Sequence, residues 1–200
     1  MEIQKDKKIL IVGLGLLGGS YAQSLTRQGY EVYAITRKQS TIDYALEHGM
    51  IKDGTTEIDA DMIAKADIAV FALYPHIFVD WIRENGKYFK KGAIITDVTG
   101  VKCAIVDKIQ ALLPEGVEFI GAHPMAGKEV YGIENSNEEM FKGANYIVTP
   151  TEKNSHEAVE ICKELGRMLG FGNVTELTPQ KHDRMIGFLS QLTHRIAVAL

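Results

Sequence analysis

Short apolar runs alternate with amphipathic segments along most of the chain. Ile9-Leu10-Ile11-Val12 is a continuous apolar run, as expected of a strand that is covered on both faces. Further strands are predicted at residues 31–35, 68–73, 93–97, 119–122 and 146–149. Helices are predicted between them at residues 16–29, 40–49, 76–87, 102–113 and 157–169. This alternation predicts an α/β fold with a doubly wound, mostly parallel sheet.

A glycine-rich loop, Gly13-Leu14-Gly15-Leu16-Leu17-Gly18, joins the first strand to the first helix. Gly13 permits a tight turn, Gly15 lets the backbone approach a pyrophosphate, and Gly18 lets the helix pack closely on the strand. The N–H groups at the start of the helix would face the phosphates. The loop therefore predicts a Rossmann-type dinucleotide site. Its expected cofactor-binding residues are Gly13, Gly15, Leu16, Leu17 and Gly18, with Leu73, Tyr74 and Pro75 after the third strand.

The end of the second strand indicates which dinucleotide is bound. Sites for NAD usually place a carboxylate there to bind the ribose 2′-hydroxyl. This chain has Thr36, Arg37 and Lys38 instead, with Thr41 in the helix that follows. Cations and hydroxyls suit a 2′-phosphate, so NADP is the expected cofactor and NAD is possible. The alternative is a solvated basic turn.

The strand and helix pattern changes near Gly170, and two domains are predicted. Residues 1–172 form a dinucleotide-binding domain, and residues 173–200 form the first helix of a C-terminal helical domain. Thr178-Pro179 starts that helix as an N-cap followed by a first-turn proline. The helix has no C-cap and ends on an apolar run, so a truncated chain or a covering partner is expected. A homodimer through these helices is the expected assembly.

Composition and charge argue against several classes of protein. The hydrophobic content of 46% is ample for a core, and the net charge of −4 argues against a nucleic-acid surface. No apolar run approaches the ~20 residues of a membrane span. Cys103 and Cys162 are far apart and form no metal-type pair, so reduced thiols, no metal site and a cytoplasmic location are expected.

His123 is the strongest catalytic candidate. It follows a buried strand, in a loop with glycines and a proline, at the sheet edge where such folds bind ligands. Imidazole titrates near neutrality, so it can take a proton from a substrate hydroxyl. The alternative is a histidine that caps the strand. His194 is a weaker candidate on an apolar helix beside Ser190 and Gln191, and His182 is expected at the surface or as a cap.

Three segments together resemble the prephenate and arogenate dehydrogenase family of tyrosine biosynthesis. They are GLGLLGGS at residues 13–20, DVTGVK at 97–102 and GAHPMAGKEVYG at 121–132. The resemblance implies oxidation of prephenate or arogenate to 4-hydroxyphenylpyruvate or tyrosine with NAD or NADP. It also implies that residues 188–194 begin a helical, dimer-forming domain.

The resemblance assigns roles to individual positions. It makes His123 the catalytic histidine and His194 a substrate contact with Ser190 beside it, and it places Glu129 near the substrate entrance. Gln191 stands where relatives commonly have a histidine, and it is expected to bind substrate as a neighbour of Ser190 and His194 on one helix face. Many relatives have a supporting serine where this chain has Gly100, so support for the histidine is expected from Thr99, from water or from nothing. Thr99 and Gly100 are accordingly included among the substrate-binding residues.

Two other functions remain open at this stage. One is another NADP-linked hydroxyacid dehydrogenase, a class that relies on a lysine, for which Lys181 is the nearby candidate. The other is a non-catalytic NADP-sensing domain that signals through a partner on the last helix.

Overall fold

The computed structural model describes residues 3–188, and one eight-stranded sheet runs through them. The strands are β1 (Lys8–Val12), β2 (Glu31–Ile35), β3 (Asp53–Thr55), β4 (Ile68–Phe71), β5 (Ile94–Asp97), β6 (Glu118–Met125), β7 (Asn145–Thr149) and β8 (Asn173–Glu176). Their order in the sheet is β3-β2-β1-β4-β5-β6-β7-β8. All neighbours are parallel except β6 and β7, which are antiparallel. The predicted doubly wound, mostly parallel sheet is thus confirmed.

Helices cover both faces of this sheet. They are α1 (Leu16–Arg27), α2 (Gln39–Glu47), α3 (Ala60–Lys65), α4 (Pro75–Asn85), α5 (Val106–Leu112), α6 (His156–Met168) and α7 (Pro179–Ile186). Alternate residues of β1 enter different hydrophobic clusters, Ile9 and Ile11 on one face and Leu10 and Val12 on the other. This is why the run has no polar positions: both of its faces are buried.

The pattern of apolar residues missed β3, α3 and β8. β3 contains Gly54 and no large apolar residue, and β8 is a polar edge strand with the sequence NVTE. Because β8 pairs with β7, the sheet continues to Glu176, beyond the boundary predicted after residue 172. The pattern also did not show that β7 reverses direction.

One predicted helix start was wrong. The helix predicted from residue 102 begins at Val106, because Lys102 turns inward toward Asp97. This error lies in a loop at the carboxyl edge of the sheet, which is the edge that carries the candidate site. The other predicted helices begin within one residue of their predicted starts, at Leu16, Gln39, Pro75 and His156.

Across residues 3–188, the structure has no helix that is long and apolar enough to cross a membrane.

Candidate active site

The carboxyl ends of β1, β4, β5 and β6 lie side by side and bring the predicted reactive segments to one edge. The glycine loop follows β1, residues 72–75 follow β4, and residues 98–102 follow β5. His123 lies near the carboxyl end of β6. β6 is three positions from β1 in the sheet, roughly 14 Å at ~4.8 Å per strand. An extended dinucleotide bound at the glycine loop could span this distance to the imidazole.

The glycine loop has the shape that a pyrophosphate requires. Gly13 has φ of +96°, and a Cβ there would lie 2.6 Å from the carbonyl oxygen of Ala72. A Cβ on Gly18 would lie 1.9 Å from the Gly13 carbonyl oxygen, whereas a Cβ on Gly15 would meet nothing within 4 Å. Gly13 and Gly18 thus permit close backbone packing, and Gly15 faces open space. No side chain caps α1, so its first N–H groups remain for an anion.

The segment after His123 packs against the same helix, which sequence analysis did not foresee. The Ser136 hydroxyl donates to the carbonyl of Leu16 (3.2 Å), and the amide of Asn137 donates to the Ser20 hydroxyl (2.9 Å). A side chain on Gly19 would collide with Ser136. These contacts tie the loop beyond β6 to the helix that begins at the glycine loop.

The residues predicted to select the cofactor surround the end of β2. Thr36 is half-buried, and its amide donates to the carbonyl of Thr55 (3.1 Å). Arg37 and Lys38 are exposed, and Thr41 is half-buried in the first turn of α2. Tyr74 is exposed after β4, and Pro75 is the first residue of α4. The basic pair therefore projects from the edge that carries the glycine loop.

A buried ion pair joins the ends of β5 and β6. The Lys102 ammonium donates to both carboxylate oxygens of Asp97 (2.8 and 2.7 Å) and to the carbonyl of Ala122 (2.5 Å). The Ala122 amide donates back to Asp97 (2.9 Å), and both side chains are fully buried. Burial lowers the pKa of Lys102, and the Asp97 carboxylate opposes that shift.

Thr99 belongs to the same buried cluster. Its amide donates to Asp97 (3.0 Å), and its hydroxyl contacts Asp97 and the carbonyl of Val101. The hydroxyl is therefore engaged within the cluster, and His123 finds its support elsewhere.

That support is a chain of three side chains. Nδ1 of His123 lies 2.9 Å from Nε2 of His182, and Nδ1 of His182 lies 2.7 Å from Oδ1 of Asp183. The carboxylate of Asp183 accepts the main-chain N–H groups of Lys102 and Cys103, each at 2.9 Å. His182 is fully buried, so its predicted place at the surface was wrong.

Burial governs the charge of both rings. It lowers the pKa of His123 to about 4, with further lowering from the Lys102 ammonium and from His182. It also lowers the pKa of His182, against the opposing hydrogen bond to Asp183. Burial acts to raise the pKa of Asp183, but the hydrogen bonds from His182 and the two amides outweigh it and lower that pKa. At neutral pH the imidazoles of His123 and His182 are thus both neutral, and the carboxylate of Asp183 is ionised.

Gly100 lies beside the other ring nitrogen of His123. A Cβ at Gly100 would lie 3.6 Å from both Cε1 and Nε2 of the imidazole, which is ordinary contact. Glycine therefore leaves room next to Nε2 for a substrate atom or a water. The arrangement can accept a proton at Nε2 from a hydroxyl group placed in this space.

The remaining predicted site residues are spread more widely. Glu129 is exposed in the loop that follows β6. Ser190, Gln191 and His194 lie outside the described residues, so their predicted contacts are not placed.

The spacing along α7 could have indicated His182. Pro179, His182 and Ile186 are the buried residues of this helix, at separations of three and four. That is the period of one helix face, so a polar residue between two apolar ones on it faces the core and needs a partner.

Comparison with known proteins agrees with the fold. Residues 21–172 match the family model described as "Prephenate dehydrogenase, nucleotide-binding domain", which is more than half of the chain. The chain belongs to the prephenate dehydrogenase family. The resemblance inferred from the glycine loop and from the segments around Asp97 and His123 is therefore confirmed.

Individual family members are similar along nearly the whole chain. The prephenate dehydrogenase of Bacillus subtilis is 29% identical over 204 residues, which cover 100% of this chain and 54% of that protein. The chain spans about half the length of the curated family members it matches.

Solved structures of the family show the same architecture. The Synechocystis arogenate dehydrogenase is 31% identical with a TM-score of 0.85, over 92% of this chain and 64% of that one. The Aquifex aeolicus prephenate dehydrogenase, solved with hydroxyphenyl propionate and NAD+, is 32% identical with a TM-score of 0.83. That match covers 96% of this chain and 67% of the other.

Proposed function

We propose that this chain is the nucleotide-binding part of an enzyme of tyrosine biosynthesis. The proposed reaction is the NAD(P)-dependent oxidative decarboxylation of prephenate to 4-hydroxyphenylpyruvate, or of arogenate to tyrosine. The observation that carries the proposal is the place of His123, on the same sheet edge as the glycine loop, with Nε2 beside Gly100. A base at that point meets the substrate hydroxyl while the neighbouring C–H bond faces the cofactor.

The proposed reaction needs no net proton. At C4, the ring carbon that carries the hydroxyl group, the C–H bond breaks with its electron pair and the hydroxyl proton moves to Nε2 of His123. At C1, the opposite ring carbon, the bond to the carboxylate breaks and carbon dioxide is released. The electron pair of that last bond flows through the ring to the oxygen, and the aromatic phenolate takes the proton back from Nε2. The nicotinamide supplies the hydride acceptor when the cofactor is bound.

The residues of the chain supply orientation and one base. Gly13, Gly15 and Gly18, with the N–H groups of Leu16 and Leu17, would hold the pyrophosphate, and Leu73, Tyr74 and Pro75 border the same edge. The depressed pKa of His123 keeps its ring neutral at physiological pH, as a proton acceptor requires. The buried pair of Asp97 and Lys102 joins β5 to β6 through Ala122 and so would help to hold His123 in place beside the bound cofactor.

We propose NADP as the preferred cofactor. Arg37 and Lys38 are exposed at the end of β2, where a ribose 2′-phosphate would lie, and Thr36 and Thr41 add hydroxyl groups. The segment 36–38 contains no carboxylate that would repel the phosphate. NAD binding is retained in this proposal, with lower affinity.

The assignment of substrate contacts is also proposed. We propose that Thr99 and Gly100, which follow β5, and Glu129, which follows β6, contact the substrate near His123. Ser190, Gln191 and His194, which lie outside the described residues, are proposed as further substrate contacts. The proposed assembly is a homodimer through C-terminal helices, and the proposed compartment is the cytoplasm, where Cys103 and Cys162 would stay reduced.

The test compares turnover with cofactor binding. In the complete gene product, His123→Asn is expected to lower turnover of prephenate or arogenate by ~10²-fold or more, with the Kd for NADP+ unchanged. Turnover is followed by the absorbance of the reduced nicotinamide, and binding by calorimetry. His156→Asn, at the exposed start of α6, is the matched control.

Each other outcome selects a different function. Unchanged turnover in His123→Asn would remove this histidine from the reaction. Turnover of a hydroxyacid in place of both cyclohexadienes would make the protein another dehydrogenase of the same fold. Cofactor binding without turnover of any of these substrates would make it a sensor.

A further inference from the structure

We propose that Asp183 and His182 form a positioning relay that sets the tautomer of His123 and leaves its Nε2 as the proton acceptor. The catalytic consequence rests on the function proposed above, whereas the tautomer itself does not. Both relay residues lie on α7, so the relay connects this helix to the base on β6.

The assignment of protons starts at Asp183. Its two carboxylate oxygens each accept a main-chain N–H, from Lys102 and from Cys103. An ionised carboxylate accepts hydrogen bonds and donates none. The 2.7 Å contact with Nδ1 of His182 therefore requires that Nδ1 carries the proton.

The next step follows from the neutrality of His182. A neutral imidazole has one N–H, so a proton on Nδ1 leaves Nε2 of His182 as an acceptor. The 2.9 Å contact between that Nε2 and Nδ1 of His123 then requires a proton on Nδ1 of His123. In neutral His123, Nε2 is left with its lone pair, on the side of the ring that faces Gly100.

Charged and titratable groups on two sides act on the His123 ring. Lys102, after β5, and His182, on α7, lower the pKa of His123, whereas the carboxylates of Asp97 and Asp183 act to raise it. When Nε2 accepts the substrate proton, the cationic ring keeps its Nδ1–H bond to His182. If that Nδ1 proton passes to Nε2 of His182, His123 becomes neutral again and the positive charge lies against the Asp183 carboxylate.

Asp183→Asn tests the relay most directly, because it keeps the side-chain volume and is expected to reverse which ring nitrogens of His182 and His123 carry the protons. An asparagine at this position has one oxygen in place of two, while two main-chain N–H groups still point at it. If its amide group turns toward His182, it donates to Nδ1, so His182 must donate from Nε2 to His123. The base nitrogen of His123 then carries a proton and cannot accept another.

The primary measurement is the nitrogen NMR spectrum of the unsubstituted chain labelled in its histidine rings. At pH 7 we expect His123 and His182 each to carry one proton, on Nδ1, and the signals are assigned by single substitution of each histidine. A spectrum in which Nε2 of His123 carries the proton would overturn the relay, whatever the variants do. This measurement needs neither substrate nor activity.

The second measurement uses the complete gene product. Asp183→Asn is expected to lower kcat by ~10²-fold or more with KM and the cofactor Kd nearly unchanged, and to move the proton of His123 to Nε2. Asp107→Asn, an exposed carboxylate in the first turn of α5, is the matched control and should change nothing. His182→Gln, which keeps an acceptor for Nδ1–H of His123, should recover activity relative to His182→Phe.

The outcomes of the relay and of the proposed function are separable. A loss of turnover in Asp183→Asn with the Nδ1–H tautomer retained would assign Asp183 a purely structural role and overturn the relay. If Asp183→Asn does not fold, the spectrum of the unsubstituted chain decides the proposal. The relay fails and the function stands if His123→Asn is inactive but Nε2 is protonated in the unsubstituted chain.

Discussion

The glycine loop of the candidate site is made of neighbouring residues, whereas the reactive half of the site joins segments that lie far apart in the sequence. The glycine loop occupies residues 13–18 and works through its backbone. The reactive half brings together Asp97 and Lys102, His123 on β6, and His182 and Asp183 on α7. The glycine loop depends on the absence of side chains, and the reactive half on buried polar side chains that satisfy one another. The two regions therefore respond to different substitutions.

The largest loss of stability is expected at the buried ion pair. Lys102→Met removes the ammonium and leaves Asp97 buried without its cation, which costs about 3–5 kcal/mol of unfolding free energy. Urea unfolding measures the loss, and the double variant with Asp97→Asn should recover part of it. Lys108→Met, at an exposed position of α5, is the control. A loss no larger than that of the control would show that the pair does not hold β5 to β6.

Two glycine-to-alanine substitutions in the glycine loop should separate its effect on stability from its effect on cofactor binding. Gly18→Ala places a Cβ 1.9 Å from the Gly13 carbonyl oxygen, so the backbone must shift, at a cost of about 1–3 kcal/mol or more. Gly15→Ala meets nothing within 4 Å, so it should leave the free energy of unfolding nearly unchanged and weaken cofactor binding. Thermal unfolding and calorimetry with NADP+ measure the two effects. Equal loss of stability in both variants would contradict this division of roles.

The reactive half predicts a dependence of stability on pH. The pKa of His123 falls from its usual 6.5 to about 4, mainly through burial. Between these values the unfolded chain binds more protons than the folded chain, so the free energy of unfolding falls as the pH is lowered through this window. His123→Asn removes the imidazole and should reduce the slope of unfolding free energy against pH. The reduction is at most about 1.4 kcal/mol per pH unit, the value for a difference of one bound proton.

Urea unfolding at several pH values checks this slope. His182 contributes in the same direction, because its pKa is also lowered, so part of the slope should remain in His123→Asn. An identical slope in the two proteins would mean that the His123 ring is not buried as a neutral group.

The smallest expected effect concerns the choice of cofactor. Arg37→Ala removes an exposed cation at the end of β2 and should weaken NADP+ binding about tenfold, the range of one charge-assisted hydrogen bond to a phosphate. NAD+ binding should change little, because the ribose 2′-hydroxyl carries no charge. Calorimetry with both cofactors measures the difference. Equal weakening of the two would remove Arg37 from the recognition of the 2′-phosphate.

Local patterns predicted most of the fold but not its polar edges. β1 and β4 could be predicted from their apolar runs, because both faces of these strands are buried. β3 and β8 are short and polar, and their pairing is decided by the neighbouring strands rather than by their own composition. The same limit applies to the start of α5, where Lys102 leaves the helical pattern because its partners lie on β5 and β6.

By itself the sequence determined the alternation of strands and helices, the glycine loop, the family and His123 as the candidate base, because each of these depends on neighbouring residues. Only the tertiary structure decided which groups hold that base. The sequence led us to expect His182 at the surface or as a cap, whereas His182 and Lys102 are both fully buried in the fold. A buried polar group must find its partners across the sheet and along α7, from residues as many as 81 positions away. No local pattern specifies that pairing, because it depends on where the strands and α7 pack.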